Sequence, residues 1–222
     1  MLHRKTTYQS PVFTDFETLG RRNYHEIVRF CEQHRDAMEQ LNFDEFFIME
    51  LAYCNALFQM DMFDKHIKTA NHVIELSILN NIQFYEGEDI YHRTLFQKAQ
   101  SHKVLNQLPE AIHIIKELIK MNAMVKEYQQ FLKLCYTKDG TPFLHNLRAY
   151  GVLICLISSG ILVLNILIVE PFFSNKVVLV NIISAIGLII CGLSVIGGLT
   201  IHHWKAKRKF DKFMKRLKNN KL

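Results

Sequence analysis

The chain has 222 residues, 49% of them hydrophobic, with 27 Lys and Arg against 21 Asp and Glu. Its formal charge of +6 is concentrated: nine basic residues and one acid fall in residues 202–222, a net of +8, which leaves residues 1–201 at −2. A generally basic protein is therefore excluded, and five dispersed cysteines without a CxxC pair argue against a disulfide framework or zinc module and suit a reducing compartment.

Residues 1–22 read as an irregular leader, with Ser10-Pro11 and Gly20 as breaks. No apolar h-region follows Arg4 and Lys5, so no signal peptide is expected and the first half should stay in the cytosol. From Asn23 to Leu41 the spacing predicts a helix with Tyr24, Ile27, Cys31, Met38 and Leu41 near one face and Glu26, Arg29, Glu32, Arg35 and Asp36 outside. Asp44 is a candidate N-cap for a second helix, about Glu45 to Gln59, whose inward set is Phe47, Leu51, Cys54 and Phe58. A third runs from Phe63 to Leu79. Asn80-Asn81 and Glu86 to Asp89 then mark a connection to which no strand is assigned. Further helices are predicted over Asp89–Leu105, Pro109–Met121 and Val125–Tyr136, with Pro109 suited to a first turn and Gly140 and Pro142 to a stop. Residues 23–142 are thus all-α, built from antiparallel helix pairs.

The fourth and fifth of these helices carry Leu95, Ala99 and Leu108-Pro109-Glu110-Ala111-Ile112, with Ala111 where the second helix must pack closely. This order resembles the tetratricopeptide repeat. His102 stands in place of the aromatic, Ile115 and Leu118 replace a later aromatic and Ala, and Ala123 replaces the closing Pro. The preceding pair aligns at an offset of 45, from Phe63 to Leu108, which sets His66 on the small-residue site of Ala111. The resemblance implies a concave groove for peptide segments or partner helices, with Arg93, Gln100 and Lys103 facing it.

Chemistry is otherwise scarce. His25, Cys31 and His34 do not converge on one helical face, His66 and His72 lack the i,i+4 chelating spacing, and no metal or cofactor is expected. Glu86, Glu88 and Asp89 read as acids at a helix start. Ahead of residue 147 only Gly20, Gly87 and Gly140 occur, which excludes a phosphate-binding glycine loop, and no hydrolase or kinase signature appears, so no enzyme is expected.

Two runs free of charge follow, Ala149–Val169 and Val177–Ile201; they place spans at 147–169 and 177–201, joined by the turn 170–176. Each has the roughly 20 residues that cross a bilayer, and they predict a transmembrane helical hairpin. Gly151, Cys155 and Ser158 in the first and Ser184, Gly187, Cys191, Ser194 and Gly198 in the second form small-residue stripes suited to close packing. About Phe173, Asn165 matches Asn181 in depth and Cys155 matches Cys191. Arg148 and the tail flank the spans, whereas the turn holds only Lys176 beside Glu170, so both termini are expected in the cytosol. A bacterial plasma membrane is the favoured location, and a homo-oligomer through the spans is an option.

Residues 202–222 form a basic amphipathic tail. Phe210, Phe213, Met214 and Leu217 make an apolar stripe, with Trp204, Lys207, Arg208, Lys209 and Arg216 around it. The stripe and the neighbouring span favour anionic lipid at the cytosolic leaflet over nucleic acid. The sequence thus describes a membrane-anchored, cytosol-facing helical-repeat adaptor for a partner protein; a pore component with a regulatory domain is the alternative.

Overall fold

Ser10 caps the first helix: its Oγ accepts the Phe13 N–H at 3.1 Å, and Pro11 occupies the first helical position, where a missing N–H costs nothing. The computed structural model describes residues 9–20, 22–139, 141–164, 167, 182, 185, 186, 189 and 204–219, with only the backbone at 141–149, 151, 162 and 164. The first helix, α1 (Pro11–Thr18), corrects the expectation of an irregular leader. The Ser-Pro pair taken as a break is a helix start.

The chain divides into two compact units, 1–132 and 133–222. In the first, α2 (Tyr24–Gln33) and the single turn α3 (Arg35–Met38) replace the one helix predicted over Asn23–Leu41. They are followed by α4 (Phe43–Gln59), α5 (Phe63–Leu79), α6 (Ile90–Val104) and α7 (Leu108–Met121). Packing is sequential: α2 on α4, α4 on α5, α5 on α6 and α6 on α7. Asn42, not Asp44, caps α4, its side chain accepting the Glu45 N–H at 3.0 Å. Asp89 caps α6 through the His92 N–H at 2.9 Å.

α4 is buried on two faces. Met49, Tyr53, Ala56 and Leu57 join Phe13, Ile27, Val28, Cys31 and Met38 in one cluster, while Phe47 and Cys54 join Ala70, Val73, Ile82 and Ile90 in another. Such a helix is apolar most of the way round, and the single stripe expected from its sequence is half of what it buries.

Three turns share one device. Asp61, Asn81 and Asn106 adopt φ of 57°, 53° and 59°, and each is followed by an N–H that returns to the helix just ended: Met62 to Leu57 O at 2.9 Å, Ile82 to Ser77 O at 2.8 Å, Gln107 to His102 O at 2.8 Å. This is the Schellman pattern, closed by Asp or Asn where Gly is commoner. Asp61 and Asn106 stand 45 residues apart, as do the starts of α5 and α7 at Phe63 and Leu108, so the turn–helix joints recur at the offset read from the sequence.

Between α5 and α6 two short strands do form: β1 (Phe84–Tyr85) pairs antiparallel with β2 (Glu88–Asp89). Glu86 and Gly87, at φ of 50° and 82°, make the turn that joins them, a pair of positive values that suits the twist of a two-residue hairpin.

After α8 (Lys126–Lys138) comes α9 (Thr141–Leu164). Among the described residues no helix is long and apolar enough to cross a membrane, which overturns the transmembrane hairpin and with it the two-span integral-membrane location. α9 takes up His145, Asn146 and Arg148 in its first turns, ahead of its apolar part. Of the proposed packing residues within it, Ser158 is buried and Cys155 exposed, so they do not share one covered face; Gly151 lies in the helix backbone of α9. Asn165, Asn181, Ser184, Gly187, Cys191, Ser194 and Gly198, with the turn 170–176, lie outside the described residues. Residues 204–219 are helical, and Ala206 and Phe210 on that helix are buried.

Candidate functional site

In the first unit α4 and α6, separated in sequence by α5 and the hairpin, line one cavity of about 630 Å³. The floor is apolar: Ile48, Leu51, Ala52 and Cys54 come from α4, Ile90 from α6, and Tyr24 and Ile27 from α2. One wall is α1, through Phe13, Phe16 and Glu17, and the other is the hairpin, through Tyr85, Glu86 and Glu88. The volume falls within the ~300–1,000 Å³ range of binding pockets.

A polar bridge joins the two lining helices. Asn55 Oδ1 accepts from Arg93 Nη2 at 3.1 Å and from Gln97 Nε2 at 3.3 Å, while the second arm of Arg93 pairs with the Glu88 carboxylate. Three carboxylates, Glu17, Glu86 and Glu88, thus border a site with one guanidinium. Burial, followed in size by the Glu50 charge, pushes the Cys54 thiol up to about 12. It is a packing group and no nucleophile at neutral pH.

Of the three residues expected to face a groove, Arg93 lines this cavity. Lys103 does not: its Nζ lies 5.1 Å from the Phe131 ring centroid on α8. Gln100 is half-buried and is not among the lining residues. What sequence reasoning missed is the contribution of α1, Asn55 and the hairpin. The signal for α1 was present in Ser10-Pro11; for Asn55 none existed, since its partners sit 38 and 42 residues away.

Two other polar clusters have structural roles. Glu50, 1% exposed, is held by Arg35 at 2.6 Å and His72 Nδ1 at 3.0 Å, tying α3, α4 and α5 together. His66 Nδ1 lies 2.8 Å from Ser101 Oγ, the spacing of a base and a nucleophile, yet both residues are fully buried and no substrate reaches them. Desolvation, with a smaller contribution from His102, lowers His66 to about 4, so at neutral pH it is an uncharged link between α5 and α6.

In the second unit the tail residues are placed by α8. Phe210 packs beneath Lys133, whose Nζ lies 4.6 Å from the ring centroid, and Lys209 reaches Asp139 at 3.1 Å. Phe213, Met214 and Leu217 are half-buried, while Trp204, Lys207, Arg208 and Arg216 are exposed. Comparison of the chain with family models, curated proteins and solved structures returns no match.

Proposed function

We propose that the first unit is a helix-pair scaffold of tetratricopeptide-like build that holds a short segment of a partner protein in the cavity between α4 and α6. The observation that carries this reading is that alternate helices of the stack, α4 and α6, line one apolar-floored concavity, the arrangement by which stacked helix pairs receive peptides. Burying one large aliphatic or aromatic side chain there would contribute about 2 kcal/mol. A binding role is favoured over an enzymatic one because the groups that resemble catalytic partners, Ser101 and His66, are sealed.

Peptide display selected on the full chain, with Ala52→Arg as the counter-target, tests this. Ala52 is half-buried in the floor, so the long cation fills the cavity without removing a core side chain. The expected outcome is a set of segments with an apolar anchor that bind the natural chain and not the variant. Equal enrichment on both proteins, with the variant's unfolding midpoint unchanged, would overturn the reading.

A further inference from the structure

The helix over residues 204–219 sorts its side chains sharply. At 100° per residue, Ala206, Phe210, Phe213, Met214 and Leu217 fall on one side. Lys205, Arg208, Lys209, Lys212, Lys215 and Arg216 fall in a single arc of about 120° on the other side, and all six are exposed. The apolar side is in use: Ala206 and Phe210 are each 7% exposed, and Phe210 lies under Lys133 of α8. Lys209, at the edge of the basic arc, is tied to Asp139 and lies 5.8 Å from the Tyr136 ring, so it helps fasten the helix down. Lys205, Arg208, Lys212, Lys215 and Arg216 share the outward arc, while Lys207, Lys218 and Asp211 lie off it, between the arc and Met214.

This placement decides between the two polyanions that a basic helix attracts. Adsorption of an amphipathic helix to a bilayer draws on insertion of its apolar stripe, and here Ala206 and Phe210 of that stripe are buried and Phe213, Met214 and Leu217 are half-covered. A phosphate chain asks only for cations in a row. From Lys205 to Arg216 the face runs ~17 Å, matched to about five phosphates at 3.4 Å per residue of one nucleic-acid strand. At its flank stands Trp204, 59% exposed, with the Arg208 guanidinium 5.1 Å from its ring centroid, the aromatic-and-arginine pairing on which unstacked bases settle.

We propose that this helix is a binding face for the phosphate backbone of nucleic acid, independent of base sequence and separate from the cavity of the first unit. It is docked by its apolar stripe and reads charge with the opposite side.

Fluorescence anisotropy of the full chain with a labelled oligo-dT of about 20 nucleotides tests it, between roughly 50 and 200 mM salt. Binding should weaken with salt along a log–log slope of about −3.5 for five phosphate contacts on a single strand. The triple variant Lys212→Glu, Lys215→Glu, Arg216→Glu alters only exposed side chains and should bind at least about ten-fold more weakly, while Ala52→Arg binds as the natural chain does. Binding that ignores the triple variant, or a slope near zero, would sink the proposal. So would tight association with phosphatidylserine vesicles combined with no measurable affinity for oligo-dT, since that would make the face a lipid surface.

Discussion

Two buried ionisable residues illustrate how single side chains hold the first unit, and each yields a measurable asymmetry. Glu50 sits between α4 and its neighbours with Arg35 at 2.6 and 3.4 Å and His72 at 3.0 Å. Removing Arg35 leaves a buried carboxylate with one partner, and such losses cost about 3 kcal/mol or more. Removing the acid instead frees an arginine that is already 38% exposed and can turn to water. Arg35→Met should therefore lower unfolding free energy by about 3 kcal/mol, and Glu50→Gln by about half of that, as read from denaturant midpoints at constant m. Equal costs would show that the pair is not asymmetric in the way its burial requires. The second case is His66. Its folded value is depressed from 6.5 to about 4, so the unfolded chain takes up the proton first as pH falls. Stability is intact above pH 6.5 and is lost progressively down to pH 4, by about 2 kcal/mol between pH 7 and 5. His66→Leu should flatten that acid limb of the stability profile. Neither role could be read from the sequence. Arg35 lies on the outer, charged face of a helical wheel, and only the break at His34 turns it inward; His66 occupies a small-residue position in the repeat alignment, yet its burial against Ser101 depends on α6, 35 residues on.

At the level of elements, the turns were far more legible than the faces. Met60-Asp61, Asn80-Asn81 and Pro109 mark helix ends in the sequence and do so in the fold, because a left-handed residue and a first-turn proline act locally. The starts of α5 and α7 also lie 45 residues apart, each two residues after a left-handed Asp61 or Asn106, although only α7 has a first-turn proline. Burial of α4 on two sides was not, since a helical wheel cannot tell how many neighbours an element has. The same locality gives a prediction. Asp61 carries a Cβ at φ 57°, where Gly is unstrained, so Asp61→Gly should stabilise the α4–α5 joint by about 0.5 kcal/mol, whereas Asp61→Val should cost more than 1 kcal/mol. Thermal unfolding of the two variants would decide it, and a stabilising valine would refute the role of the turn. α1 is the element the sequence came nearest to revealing and lost. Ser10-Pro11 is a start signal, reinforced when the Ser10 N–H donates to the buried Glu45 carboxylate at 3.1 Å, a contact across 35 residues that no local pattern announces.

For the whole molecule, the largest correction concerns the runs of apolar residues. Their length and lack of charge suggested spans, but the first joins a helix that begins at Thr141 and includes Arg148, and among the described residues no helix is long and apolar enough to cross a membrane. Without that anchor, the arrangement of binding features changes: an apolar cavity bordered by three carboxylates belongs to the first compact unit and a basic helix face to the second. Variants that share no side-chain partners act additively to within about 0.5 kcal/mol. If the cavity holds peptide and the helix holds phosphate, Ala52→Arg should abolish peptide capture and leave oligonucleotide affinity within about two-fold of its natural value. The triple charge reversal at 212, 215 and 216 should do the converse, and the combined protein should lose both to the same extent as the single variants do. A peptide affinity that shifts more than about three-fold with oligo-dT would show a coupling free energy between the units. In that event the chain would act as a bridge whose two ends answer to one another, and the additivity expected from their separate cores would fail.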